Sequence, residues 1–173
     1  GRHGEALLHY SKALARQPNF AEARLNKAIC LHMLKRFEEA RVEFDALIRQ
    51  SPSIGRLWRA LGAMEVDAGE HEAARLAYER ALELAPDDAK AKAGIAKTAL
   101  ELGDADAVLR YHTALDANPG DRSLAIGLAY ARQASGDSDA ASSLQPLVEA
   151  DPEWLEGQEN LASIRWEAGD AGH

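Results

Sequence analysis

The chain has 173 residues, of which 46% are hydrophobic and 28% charged, as is typical of a soluble folded protein. Its single cysteine, Cys30, excludes an intrachain disulfide, and no run of about 18 apolar residues is present that would span a membrane. The net charge of -8 argues against a nucleic-acid partner, and the lack of an apolar N-terminal signal core predicts a cytoplasmic protein.

Five prolines divide the chain into predicted helix pairs. Residues 1–20 predict the second helix of a pair whose first helix is absent, and residues 155–173 predict a first helix without its partner. Between them lie four predicted complete pairs, at residues 21–54, 55–88, 89–121 and 122–154. The chain is therefore expected to form about ten helices and to be a fragment of a longer array.

The spacing of these prolines indicates an internal repeat, because they follow one another after 34, 34, 33 and 33 residues, at Pro18, Pro52, Pro86, Pro119 and Pro152. Twelve residues before each proline lies an alanine. Eight residues before each lies an aromatic residue or a leucine: Tyr10, Phe44, Tyr78, Tyr111 and Leu144. Intervals of three and four residues place such positions on one face of a helix, and the proline ends that helix.

The segments between the paired helices predict turns. Gly69, Gly103 and Gly136 fit helix C-termini that require a positive φ. The stretches "GDADA" and "GDSDA" lack the full ligand series of a calcium loop, so they predict turns with helix N-caps. Pro146 is the proline that falls off the repeat, and it is expected to kink or break the second helix of residues 122–154.

The stretch "LWRALGAMEVDAGEHEAARLAYERALELAPDD", residues 57–88, resembles the tetratricopeptide repeat. The matching residues are Trp58, Leu61, Gly62, Gly69, Ala74, Tyr78, Ala81 and Pro86, whereas Glu65 stands where the family usually has an aromatic residue. The in-phase positions extend this resemblance over the whole chain. It implies an all-α fold, a right-handed superhelical solenoid of antiparallel helix pairs.

No catalytic or metal-binding pattern accompanies these repeats. The six histidines, which include His173, form no i, i+4 pair with each other or with Cys30, and Cys30 is predicted to be a core residue. The phosphate-binding, dinucleotide-binding, metalloprotease and nucleophile-elbow motifs are also missing. We therefore expect no cofactor and no enzymatic activity from this chain.

In this family the first helices line a concave groove that often holds a peptide. By register, the groove would contain a set of polar, cationic and aromatic residues: Asn26, Arg56, Arg59, Lys90, Lys97, Tyr130 and Trp166. Four converging cations would suit an acidic segment or a terminal carboxylate. Alternatively, these cations are ordinary surface charges that pair with neighbours such as Asp67 or Glu101. Trp166 would either anchor a partner or belong to the core.

The resemblance implies a non-catalytic protein–protein interaction scaffold that binds a protein or peptide segment, with an affinity on the order of 1 μM. The alternative is an accessory segment of a multidomain bacterial enzyme, a transferase or an oxygenase, that continues beyond this fragment. The two truncated ends are complementary halves of one repeat, which predicts head-to-tail self-association. Residues 99–173 carry 4 basic and 14 acidic residues, so this half is either a solubilising surface or a seat for a basic partner.

Overall fold

A computed structural model describes residues 2–167 and residue 169 of the chain. These residues form ten α-helices and one 3-10 helix, with no strand among them, so the predicted all-α fold is confirmed. The α-helices are α1 Arg2–Arg16, α2 Ala21–Met33, α3 Phe37–Gln50, α4 Gly55–Ala68, α5 His71–Leu84, α6 Ala89–Leu102, α7 Ala107–Ala117, α8 Arg122–Ala134, α9 Gln145–Ala150 and α10 Leu155–Glu167. The 3-10 helix, Ala140–Ser143, precedes α9.

The repeated prolines explain where the odd-numbered helices end. α1, α3, α5, α7 and α9 each end two residues before a repeat proline, at Arg16, Gln50, Leu84, Ala117 and Ala150. Proline pushes the residue before it out of the α-helical region and has no N–H to donate. Within each compact unit, the connections between successive helices are short, which makes neighbouring helices antiparallel.

The chain forms two compact units, residues 1–88 and residues 89–173. The core of the first unit is built around Leu31, Phe44 and Met64, which α2, α3 and α4 contribute. The second unit has two clusters of buried side chains, one around Tyr111 and one around Leu144 and Trp154. Cys30 is buried, as the sequence predicted, and Trp154 is buried as well.

The turns within the helix pairs use left-handed backbone conformations. Gly69, Gly103 and Gly136 have φ angles of 81°, 70° and 78°, which confirms the prediction that these helix C-termini need a positive φ. The turn between α2 and α3 has no glycine, and Lys35 takes the corresponding conformation with a φ of 56°. The Lys35 backbone N–H donates to the carbonyl oxygen of His32 at 2.8 Å, which helps to close this turn.

The predicted side-chain N-caps in the "GDADA" and "GDSDA" turns are wrong. Asp106 precedes α7 but makes no capping bond, because its carboxylate accepts a hydrogen bond from Arg110 one helical turn later, at 2.8 Å. In the second turn, Asp137 accepts from the backbone N–H of Asp139 at 2.9 Å, and Asp139 makes no capping bond. A side-chain cap is present instead on α8, where Asp121 accepts from two backbone N–H groups.

The predicted break at Pro146 is confirmed. Where the other pairs have one continuous second helix, residues 140–150 form the 3-10 helix and the short helix α9, with Pro146 in the first turn of α9. Leu144, between the two pieces, is completely buried and anchors the break in the core.

Buried acidic residues join neighbouring helices in the first compact unit. Glu43 on α3 accepts from Arg24 and Lys27 of α2, at 2.7 and 2.6 Å. Glu65 on α4 is only 3% exposed, and both of its carboxylate oxygens accept from the guanidinium of Arg41 on α3. Because a buried carboxylate requires a partner, these bonds fix how α3 packs against α2 and α4.

A helix needs about 20 consecutive, mainly apolar residues to cross the hydrocarbon core of a bilayer. None of the helices that the structure describes is long and apolar enough to cross a membrane.

Candidate functional site

A cavity of about 480 Å³ lies in the first compact unit, between α2 and α4 and beside the end of α3. We call it the α2–α4 cavity, and its lining residues are Ala21, Glu22, Leu25, Asn26, Leu47, Ser51, Ile54, Arg56 and Leu57. The lining combines apolar and polar side chains, and the polar ones come from α2, from α4 and from Ser51, which follows α3. An apolar cavity with a few polar groups is the usual form of a ligand-binding site.

Two of the predicted groove residues, Asn26 and Arg56, are brought together by this cavity. Asn26 is half-buried on α2, and Arg56 is exposed in the first turn of α4. Among residues 2–167 and 169, no carboxylate forms an ion pair with Arg56. The cavity therefore combines apolar side chains, an amide that both donates and accepts, and a free guanidinium that is suited to a carboxylate.

Arg59, which was predicted to be part of the same cationic set, is held by a neighbour. Its Nε donates to Asp88 at 2.8 Å, and both side chains are partly buried. Asp67, which was considered as a partner for the groove cations, pairs instead with Nε2 of His32 at 2.6 Å. Arg56 is thus the more available of the two predicted arginines.

The remaining predicted residues belong to the second compact unit. Lys90 and Lys97 are exposed on α6. The pKa of Asp121 is lowered, chiefly because the Ser123 hydroxyl donates to its carboxylate, and the positive charge of Lys97 adds to this effect. Lys97 therefore lies in the electrostatic field of a nearby carboxylate.

Tyr130 and Trp166 occupy different environments in the second unit. The Tyr130 hydroxyl donates to the side-chain oxygen of Asn160 at 2.7 Å, which ties α8 to α10. Trp166, on α10, is 73% exposed. The structure therefore excludes the core alternative for Trp166 and leaves a large aromatic surface on that helix.

A second cavity, which the sequence analysis missed, lies among α7, α8, the 3-10 helix and α9. We call it the α7–α9 cavity; it has a volume of about 490 Å³. Arg132 of α8 contributes to its lining and donates to the Ser142 hydroxyl at 2.6 Å. The break at Pro146 was the available signal, because a broken second helix packs less completely against its neighbours.

The described residues contain no group of three or more histidine, cysteine, aspartate or glutamate side chains that would hold a metal ion. His173, one of the six histidines considered from the sequence, lies outside the described residues.

Sequence comparisons find the same repeat that the spacing indicated. Two sequence profiles, both described as tetratricopeptide repeat, match residues 1–64 and 55–98. The Hsp70-Hsp90 organizing protein of Triticum aestivum is 30% identical over 96 residues, and Protein FlbA of Caulobacter vibrioides is 32% identical over 101 residues. These matches cover 56% and 58% of this chain but only 16% of each relative, so the chain spans a small part of both proteins.

Structural comparisons define the class as a helical-repeat solenoid. The crystal structure of MamA protein aligns with all of this chain and 88% of its own, with a TM-score of 0.74 and 17% identity. The structure of YrrB, a TPR protein with an unusual peptide-binding site, aligns with 91% of this chain and 82% of its own, with a TM-score of 0.76 and 19% identity. Together with the profile matches, these findings show that the chain belongs to the tetratricopeptide repeat family.

Proposed function

We propose that this chain is a non-catalytic protein–protein interaction scaffold, and that the α2–α4 cavity binds a partner segment that carries an acidic residue. The observation that carries the proposal is the exposed Arg56 guanidinium, which has no ion-pair partner among the described residues and lines a cavity of mixed polar and apolar side chains together with Asn26. The likeness to YrrB, whose structure is described as having a peptide-binding site, supports the same class of function.

The composition of the cavity indicates the kind of segment that would fit. Leu25, Ile54 and Leu57 offer apolar surface to side chains, while the Asn26 amide suits the N–H and C=O groups of a peptide backbone. Arg56 would bind one carboxylate, and Glu22 in the same lining would repel a second one. The expected segment therefore has a single acidic residue next to apolar residues, rather than a run of acidic residues.

The test is a selection of peptides from a random library on the intact chain, followed by titration of the recovered peptides. We expect peptides with one acidic residue beside apolar residues, binding with a dissociation constant on the order of 1 μM. Arg56→Ala should weaken binding about tenfold, because a charge-assisted hydrogen bond is lost. Arg49→Ala is the matched control, since Arg49 is exposed on α3, does not line the cavity and carries the same charge.

Equal effects of the Arg56 and Arg49 substitutions would contradict the proposal, because they would show a general charge effect rather than a site. Failure to recover any peptide that binds saturably would contradict the scaffold function itself.

We also propose a separate binding surface in the second compact unit, which involves the predicted groove residues Lys90, Lys97 and Trp166. Trp166 supports this because an exposed tryptophan is a common anchor in protein interfaces. The cations Lys90 and Lys97, which lie on α6 rather than on α10, would favour an acidic segment at their own helix. Trp166→Ala and Lys97→Ala, each titrated with the selected peptides, test this surface independently of Arg56.

Head-to-tail self-association remains a second proposal about partners. It is supported by α1, which has no buried residue and carries Leu8 at 56% exposure, and by the exposed Trp166 on α10. Sedimentation over a range of concentrations should show association that Leu8→Ser weakens. A chain that stays monomeric at every concentration would contradict this proposal.

The accessory role in a multidomain bacterial enzyme remains an alternative prediction. The chain matches 16% of each of two curated relatives, so repeats of this kind occur within longer proteins, and this is the only part of the alternative that the comparisons support. Catalytic motifs in the reading frame that encodes this chain would support it, and activity measurements on that full-length product would test it.

A further inference from the structure

The α7–α9 cavity has a polar end and an apolar end. Its polar end is formed by His112 of α7, Arg132 of α8 and Ser142 of the 3-10 helix. One helical turn further along, Leu115 of α7 and Leu128 of α8 continue the lining, and Pro146 and Leu147 complete the apolar part. The arrangement follows from the helix geometry, since residues three or four positions apart lie on the same face.

The guanidinium of Arg132 is the main charge at the polar end. The side chain is 20% exposed; it donates to the Ser142 hydroxyl at 2.6 Å and lies 3.4 Å from Nε2 of His112. The one carboxylate that approaches it among the described residues is Asp137, whose oxygen is 3.9 Å from its Nε, too far for a hydrogen bond. A partly buried cation with such weak compensation favours an additional anion.

We propose that the α7–α9 cavity binds an aliphatic carboxylate, with the carboxylate at Arg132 and the aliphatic chain along Leu115, Leu128 and Leu147. The donors of Arg132 and the Ser142 hydroxyl bind the two oxygens, and His112 adds a further polar contact. The α7–α9 cavity, of about 490 Å³, is an open groove, so a bound chain would keep one side in solvent and bind weakly.

One feature of the cavity limits the ligand. Asp116, exposed on α7, also lines the cavity one turn beyond His112, towards the apolar end. A ligand with a second negative charge along its chain is therefore disfavoured by repulsion. The site selects one terminal carboxylate followed by an uncharged chain.

Two sources supply this chemistry: a free alkyl carboxylate, and the C-terminus of a polypeptide that ends in an aliphatic residue. Octanoate probes the first, and a short peptide with a C-terminal leucine as the free acid probes the second. Octanamide and the same peptide as its C-terminal amide are the uncharged controls. Binding is measured by NMR titration of the isotope-labelled full chain, because the resonances that shift also locate the binding site.

We expect octanoate to bind with a dissociation constant on the order of 1 mM and to shift the resonances of His112, Leu115 and Leu128. Shortening the chain should weaken binding by up to about fourfold per methylene, and octanamide should bind at least about tenfold more weakly than octanoate. If the free-acid peptide binds more tightly than octanoate, the natural ligand is a polypeptide C-terminus. If octanoate binds more tightly, the natural ligand is a free alkyl carboxylate. Both results support the site.

The variants separate binding from folding. Arg132→Gln removes the charge and should weaken octanoate binding about tenfold. His112→Glu places a negative charge at the polar end of the cavity and should weaken octanoate binding by a similar factor. Thr113→Glu is the matched control, because Thr113 is also exposed but does not line the cavity. This control should leave octanoate binding unchanged. Unchanged affinity in both cavity variants, equal losses with Thr113→Glu, or shifts confined to the α2–α4 cavity would overturn the proposal.

Discussion

Two glycines lie directly against buried tyrosine rings. Gly62 of α4 contacts Tyr78 of α5, and Gly127 of α8 contacts Tyr111 of α7. A Cβ atom built on Gly62 would be 3.0 Å from the ring of Tyr78, and one built on Gly127 would overlap the ring of Tyr111. The absent side chain lets α8 approach α7 closely enough for Tyr111 to be buried. At both places, a glycine on one helix makes room for a buried aromatic ring on the neighbouring helix.

We predict that Gly127→Ala destabilises the chain by about 2 kcal/mol, since the methyl group forces the ring of Tyr111 to move within a packed core. Gly120→Ala is the control, because a Cβ at that exposed glycine would meet no atom within 4 Å. Its effect should stay within about 0.5 kcal/mol. Urea unfolding followed by circular dichroism measures both variants, and equal stabilities would contradict the packing argument.

Burial also determines how the two tyrosines titrate. It raises the pKa of Tyr78 and of Tyr111 to about 12, with smaller contributions from the nearby charges of Asp67 and Glu101 respectively. An unfolded tyrosine has a pKa of about 10. Each tyrosine therefore binds its proton more tightly in the folded chain than in the unfolded chain. This difference contributes fully to the free energy of unfolding below about pH 10.

We therefore predict that the free energy of unfolding falls as the pH rises from about 10 to about 12, because the unfolded state releases these protons first. Each tyrosine should contribute about 2 kcal/mol to this loss. Replacing Tyr111 with phenylalanine should reduce the slope of stability against pH in this window. Unfolding titrations at a series of alkaline pH values measure it, and an identical slope in the variant would argue against this origin.

At the scale of elements, the broken second helix differs from its counterparts in hydrogen bonding. Within residues 140–150, the Ser142, Leu144 and Leu147 N–H groups donate to carbonyls three residues earlier. α7 is a single α-helix of 11 residues in the equivalent place. Bonds of the 3-10 type have poorer geometry, so this segment is held mainly by the burial of Leu144.

We predict that amide hydrogens of residues 140–150 exchange with solvent faster than those of α7, because local opening breaks fewer and weaker bonds. Hydrogen exchange measured by NMR on the intact chain tests this order. The flanking helix α8 serves as an internal reference in the same compact unit. Protection of residues 140–150 equal to that of α7 would show that the break does not weaken the segment.

The sequence was sufficient to predict elements whose cause is local. Prolines end helices through their own geometry, and Gly69 supplies a positive φ without strain, so both were predictable from position alone. Lys35 was not, because a lysine in the same conformation has no local signature. The Arg41–Glu65 pair was missed for another reason: its partners are 24 residues apart, and only the packing of α3 on α4 brings them together.

The candidate site was less predictable than the fold. Asn26 and Arg56, both predicted from register to face the groove, line one cavity from the first helices α2 and α4, and their role in binding stays a prediction. Register gave no information on which cations are already engaged, and Arg59 is held by Asp88. Pro146 signalled the broken helix beside the α7–α9 cavity, but the lining and size of that cavity depend on tertiary packing, which the sequence pattern does not give.

At the scale of the whole molecule, charge is distributed unequally between the two compact units. Residues 1–88 carry 13 basic and 14 acidic residues, a net charge of -1, whereas residues 89–173 carry 7 and 14, a net charge of -7. Repulsion among like charges opposes the compact state, and salt screens it with a Debye length of about 10 Å at 0.1 M ionic strength. The second unit therefore has more stability to gain from added salt than the first.

We predict that raising the sodium chloride concentration increases the protection of amides in residues 89–173 more than in residues 1–88. Hydrogen exchange on the intact chain reports both units in one sample, so differences in concentration and pH are excluded. Substituting the exposed pair Glu156 and Glu159 with glutamine lowers the repulsion in the second unit and should reduce its response to salt. A salt response of equal size in both units would mean that screening of surface ion pairs, which both units contain, outweighs the relief of repulsion.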